Sequence, residues 1–356
     1  MTLTLPVPLG IAERARRRLG IFTTADLAAQ GVTEKEVRTA VRSGAWVRLR
    51  RSVFVRADDL AEIQRTGRRP GLDALAAAAS LGRPSAVLSG AKAAWVWGLP
   101  RPREMPEIVR LTDPDRWRSG RGWVMTRAAL PEDEVTVRGA YRVTTAARTV
   151  VDLARDWSEI HAVAAFDAAL LRGLTTREEL RRVLDRQVNV PGVPRSVRAL
   201  DAADGRSESW LETRGRLTFG ALGLPPFVPQ VELWVDGRLL KVADGWYPDV
   251  ALAVEFDGRV KYRRPRYGRT PEEELWEEKR VEDLLRSLGV RFVRVTNEDL
   301  GPRRAELDRL VRRQLAVPGP VRRAFREVPR AEGRWRGEDT GDDGWLFRTD
   351  DGVGRP

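Results

Sequence analysis

The chain contains no cysteine, which excludes disulfide bridges, thiolate metal sites and cysteine nucleophiles. Its single histidine, His161, falls in a helical run with Val163, Phe166 and Leu170. A packing or surface role fits it best, so mechanisms built on histidine, the Ser-His-Asp triad included, are set aside. No stretch approaches about eighteen consecutive apolar residues, so no membrane-spanning helix is expected. The apolar start, Met1 to Leu9, lacks a basic leader and does not read as a secretory signal. With cysteine absent, a cytoplasmic location fits. Lysine is scarce as well: Lys35, Lys92, Lys241, Lys261 and Lys279 are the only five among 63 basic residues. The formal charge is nevertheless +12, which points to a polyanionic partner, nucleic acid first. Arginine bias also arises from a GC-rich genome, so charge counts only where position supports it.

A length of 356 residues suits two or three domains. In the first region, to about residue 60, Thr24 is placed to cap a short helix over 25–30. Thr33 caps a second helix with Glu36 three residues on, the spacing of a capping box. Two β-rich runs follow, Trp46–Leu49 and Val53–Val55, joined by the basic turn Arg50-Arg51-Ser52. Helix, turn, helix and basic hairpin outline a winged helix-turn-helix that binds double-stranded DNA. In such modules the second helix enters the major groove while the wing meets the backbone. Lys35, Arg38 and Arg42 on the helix and Arg48, Arg50 and Arg51 on the wing are the candidate contacts. A small structural domain with a solvated basic face is the alternative.

The second region, 71–195, mixes small-residue helices with short strands and reads as an α+β domain. Its stretch Tyr141–Leu153 passes from strand into helix, and Arg148 and Asp152 make an (i, i+4) pair of structural character. Asn189–Arg195, with two prolines and a glycine, reads as a linker. The third region, 196–317, is α/β. It holds a helix bearing Glu212, a hairpin turning at Asp236-Gly237, and the strand Val250–Asp257. Alternation puts Val250, Leu252, Val254 and Phe256 on one face and Ala251, Ala253, Glu255 and Asp257 on the other. Adjacent carboxylates repel unless a cation lies between them. A divalent metal held by oxygen ligands is the usual answer, which makes this site the best functional lead in the sequence. The remainder, 318–356, mixes Pro, Gly and opposed charges and reads as a disordered tail.

Two resemblances attach to these motifs. Ser209–Arg214, Asp244, Val254–Tyr262, Glu278–Asp283 and Leu288–Thr296 together resemble the PD-(D/E)XK nuclease superfamily, in its very-short-patch-repair-like (Vsr-like) branch. The resemblance implies a restriction-endonuclease-like α/β domain hydrolysing phosphodiester bonds. Asp244, Glu255 and Asp257 would hold Mg²⁺ (or Mn²⁺), with Glu212 as a further ligand or water orienter. The usual motif lysine is replaced by Asp257, leaving Lys261, or Lys279 with Arg280, to supply positive charge. Arg263, Arg264 and Arg266 would meet phosphates. Gly20–Leu27 with Gly44–Phe54, and Val143–Leu153, resemble AbiEi-family antitoxins of type IV toxin–antitoxin systems. That resemblance implies a DNA-binding regulator with a cognate toxin as partner. The leading reading is therefore a metal-dependent DNA endonuclease tethered to DNA by the winged helix; the alternative is a non-catalytic DNA-binding regulator carrying a degenerate nuclease fold.

Overall fold

The structure, a computed structural model, describes residues 7–16, 18–102, 108–257 and 271–333. Contacts divide it into two compact units with a main boundary at Leu153/Ala154, the short stretch at 99–103 being grouped with the second.

Threonine caps set the helices at the start of the first unit. After α1 (Leu9–Arg16), Thr23 caps α2 (Thr24–Ala28); its hydroxyl accepts from the Asp26 amide at 3.1 Å and Asp26 accepts the Thr23 amide at 2.8 Å. The cap is thus Thr23 rather than Thr24, because only Thr23 has an acid three residues on. Thr33 and Glu36 close the same reciprocal box on α3 (Glu34–Arg42). Strands β1 (Phe22–Thr23), β2 (Trp46–Arg50) and β3 (Val53–Arg56) form a sheet in the order β1-β3-β2. Phe22, Leu27, Val37, Ala40, Trp46 and Phe54 fill the space beneath, with Phe22 and Trp46 edge to face at 5.0 Å.

Helix α4 (Ala57–Arg65) leads to α5 (Arg69–Leu81), whose two faces serve two cores. Leu72 and Ala76 pack with Ile21, Val53 and Ile63, while Ala74 and Ala77 pack on a six-stranded sheet. That sheet comprises β4 (Val87–Ser89), β5 (Val109–Asp113), β6 (Arg118–Gly120), β7 (Trp123–Arg127), β8 (Val135–Arg138) and β9 (Tyr141–Thr144), in the order β6-β7-β5-β4-β9-β8. Helices α6 (Gly90–Trp97) and α7 (Ala146–Asp156) complete the region. On α7, Arg148 pairs with Asp152 at 2.9 Å, as its spacing suggests, and also reaches Glu134 at 2.5 Å.

The second unit begins within α7, so that α8 (Glu159–Leu171), α9 (Arg177–Arg186) and α10 (Val193–Asp201) belong to it. Helix α10 starts inside the stretch read as a linker, with Pro194 in its first turn and Gly192 capping at φ 88°. Next come α11 (Trp210–Ala221), the hairpin β10 (Val228–Val235) and β11 (Arg238–Tyr247), then β12 (Leu252–Phe256), α12 (Pro271–Ser287), β13 (Arg291–Val295) and α13 (Arg304–Leu315). Asp236 and Gly237 turn the hairpin with φ 47° and 76°, the left-handed pair a tight two-residue turn needs. The sheet order is β13-β12-β11-β10-β14, where β14 is Arg326–Pro329. The tail read as disordered from 318 therefore supplies an edge strand, antiparallel to β10.

Strand β12 follows its alternation. Leu252, Val254 and Phe256 pack with Leu211 and Phe219 of α11 and Leu307 and Val311 of α13. On the other face Ala251 and Ala253 meet Leu233, Ala243, Trp246 and Leu285 of α12. Gly215 lets α11 lie directly on β12, since a Cβ there would enter the Phe256 ring.

Asp167 ties α8 to α11. It accepts hydrogen bonds from Thr213 Oγ1 (2.7 Å), Arg216 Nη2 (2.8 Å) and the Asp204 amide (2.7 Å). Complete burial outweighs the pull of Arg216 and raises its pKa from the ordinary 3.8 to about 6. The folded state then binds this proton more tightly than the unfolded chain, so its contribution to stability declines as pH climbs through that interval. Urea midpoints of the wild type are expected to rise between pH 7 and pH 5 relative to an Asp167→Asn variant. Parallel pH profiles for the two proteins would contradict this.

Candidate nucleic-acid interface and carboxylate cluster

Helix α3 buries Val37 and Ala40 and leaves Lys35, Arg38 and Arg42 exposed. The spacing i, i+3, i+7 places the three on one solvent face. Arg38 pairs with Glu34 at 3.3 Å, both side chains largely exposed. Exposed pairs of this kind hold by about 0–1 kcal/mol, so a phosphate readily replaces the glutamate. On the wing, Arg48 and Arg51 face solvent. Arg50, read from sequence as a phosphate contact, is half-buried and donates to the Arg121 carbonyl at 2.9 Å. Burial lowers its pKa, and its guanidinium braces the wing.

The carboxylates of the second unit form a connected cluster. Glu255 Oε2 lies 2.9 Å from Lys241 Nζ, with side chains 9% and 13% exposed. Glu278 stands 4.0 Å from the same ammonium. Burial opposes the charge on Lys241, but the facing Glu255, then Glu278 and Asp244, outweigh it and raise the pKa. One cation beside Glu255 is thus a lysine of the adjacent strand.

Asp244 lies on β11 where the alternation slips: Ala243 and Trp246, three residues apart, share one core. Its Oδ2 accepts the Phe256 amide at 2.8 Å and its Oδ1 stands 3.5 Å from Gln230 Nε2. Gln230 also donates to Glu212 at 2.9 Å. Glu212 accepts from Ser209 Oγ (2.8 Å) and the Glu208 amide (2.9 Å), closing the start of α11. Burial, reinforced by Asp244 and Glu208, pushes Glu212 well above the ordinary range. Asp257 turns instead to Arg294 at 3.5 Å, which also binds Glu282.

The carboxylates that the nuclease resemblance assigns to Mg²⁺ or Mn²⁺ are engaged here with protein groups. Lys241 pairs with Glu255, Asp257 is directed to Arg294, and burial raises the Glu212 pKa. Among the described residues no group of three or more histidine, cysteine or acidic side chains is arranged to hold a metal ion. Lys261, Arg263, Arg264 and Arg266 lie outside the described residues. Lys241, Gln230 and Arg294 were not picked out from sequence. The one available signal was Lys241, a rare lysine on the strand preceding Glu255.

Two family models match. One, described as "Transcriptional regulator, AbiEi antitoxin", covers residues 11–57. The other, "AbiEi antitoxin C-terminal domain", covers residues 85–200. AbiEi antitoxin-like domains are present in this chain. The first AbiEi match contains α3 and the wing, and the second runs from β4 through α10. Two uncharacterized proteins, from two strains of Mycobacterium tuberculosis, are each 32% identical over 117 residues. The shared stretch is 32% of this chain and 42% of each relative, so the chain spans less than half their length. No helix among the described residues is long and apolar enough to cross a membrane.

Proposed function

We propose that this protein is a DNA-binding transcriptional regulator of the antitoxin type, acting beside a cognate toxin. The observation that carries the reading is the exposed basic face of α3. A reciprocal capping box fixes that helix beside a basic wing, inside the stretch matched by an antitoxin regulator model. The face is cationic, regular and free of bulky apolar side chains, as a major-groove helix requires. Phosphates of a duplex would draw in Arg48 and Arg51 of the wing while the helix side chains reach base edges. The toxin partner rests on the family alone. Hydrolysis at Asp244 and Glu255 draws no support from the donor set, and no catalytic step is assigned to that cluster.

Footprinting on DNA upstream of the protein's own gene tests the reading. One protected site is expected. Lys35→Ala with Arg42→Ala should weaken binding roughly 10–100-fold at physiological salt, while Asp257→Asn in the second unit should leave it unchanged. Absence of any protected site for the wild type would sink the proposal.

A further inference from the structure

The wing does not stand alone on its side of the first unit. Arg50, at the end of β2, donates from Nη1 to the carbonyl of Arg121 at 2.9 Å. Arg121 and Gly122 form the turn of the β6–β7 hairpin, in which Gly120 pairs with Trp123 and Arg118 with Met125. Gly122 adopts φ 74°, and Arg50 Nη2 lies 3.6 Å from the place a Cβ would take there. Wing and hairpin turn therefore touch through a bond that costs Arg50 part of its hydration.

The hairpin lies at the edge of its sheet, because among the described strands β6 pairs with β7 alone. From Pro114 through Gly122 every residue is exposed. Arg116, Arg118 and Arg121 lie in that run, and Trp117 stands 67% exposed among them. The nearby acids are engaged elsewhere: Asp113 with Arg83 at 3.0 Å and Asp115 with the same arginine at 3.5 Å. An indole so exposed, flanked by arginines at the end of a two-stranded ribbon, adds little to the packing of this unit. Such a combination suits a sugar–phosphate backbone, with guanidinium groups on phosphates and the ring against the sugars.

We infer that the β6–β7 hairpin is a second DNA-contacting element, extending the wing's phosphate contacts along the same duplex. The inference rests on the proposed DNA-binding role and adds to it a surface outside the winged helix. Phosphate contacts carry no sequence information, so the hairpin would add affinity and salt dependence without changing the preferred site.

The test uses the full chain, a duplex carrying the footprinted site and a scrambled duplex of equal length. Binding is followed by fluorescence anisotropy across a salt series. Arg118→Ala with Arg121→Ala should weaken binding to both duplexes by the same factor. The plot of log affinity against log salt should become shallower by about 2, one for each phosphate that an arginine no longer neutralises. Hydroxyl-radical protection should shorten on the wing side of the site. A double variant with the wild-type slope and footprint overturns the hairpin's role. In that case Lys35→Ala with Arg42→Ala still weakens binding and the regulator reading stands. A wild type that binds neither duplex overturns both.

Discussion

Replacing Lys241 by alanine is expected to destabilise the second unit by about 3–5 kcal/mol, the usual loss when one partner of a buried ion pair is removed. The magnitude follows from where the pair sits. The Lys241 ammonium and the Glu255 carboxylate are 2.9 Å apart and nearly buried, next to Ala251 and Ala253 in a core lined by Leu233, Trp246 and Leu285. Removing the ammonium leaves the Glu255 charge in low-dielectric surroundings, with Glu278 and Asp244 close by as further negative charge. Lys241→Met combined with Glu255→Leu should recover most of the loss, because both desolvation costs vanish together. Urea unfolding followed by tryptophan fluorescence gives the comparison. A loss under about 1 kcal/mol would put the pair in the class of solvated surface bridges. The same experiment addresses the metal. A divalent ion bound to the folded state raises stability by mass action. With Lys241 already serving Glu255, millimolar Mg²⁺ or Mn²⁺ should leave the wild-type midpoint where it is. A saturable rise would show that these carboxylates take a metal after all.

Much of the local structure was legible because it depends on neighbours in sequence. The Thr33–Glu36 box, the Asp236-Gly237 turn and the alternation of β12 each lie within a few residues. What escaped depended on distant partners. Lys241 and Glu255 are brought together by the pairing of β11 with β12, on a strand that carries a shift against β10 at Leu233/Trp234 and a slip in its own alternation at Asp244. Neither irregularity is encoded by a period of two. Arg50 resembled any other wing arginine until its partner proved to be the Arg121 carbonyl, 71 residues away. Helix α8 is buried almost throughout, so its sequence carries no polar face to show which unit it joins. Strand β14 is short and rich in charge and proline. It forms because β10 offers an edge, and nothing within Arg326–Pro329 announces it.

Arg148→Ala is the second substitution with a large expected effect, about 3–5 kcal/mol on the first unit. Its side chain is 4% exposed and serves three acceptors. Nη1 donates to Glu134 at 2.5 Å and to the Ala129 carbonyl at 3.0 Å, and Nε donates to Asp152 at 2.9 Å. Glu134, 2% exposed, lies just before β8, and its carbonyl accepts the Thr145 amide at 3.0 Å where β9 turns into α7. One arginine thus fastens the start of α7 to the 129–134 segment, and burial makes the arrangement intolerant of losing a charge. Burial opposes the charge on Arg148, but Asp152 and Glu134 more than offset it and raise its pKa. Lysine cannot reproduce the fork that serves both acids and the carbonyl, so Arg148→Lys should recover only part of the loss. Asp152→Asn, at the more exposed end of the network, should cost clearly less than Glu134→Gln. Equal costs for the two acid variants would mean that burial does not rank them. If the β6–β7 hairpin contacts DNA as inferred, Arg148→Ala should also lower DNA affinity near its melting temperature. Lys35→Ala with Arg42→Ala should lower it at every temperature.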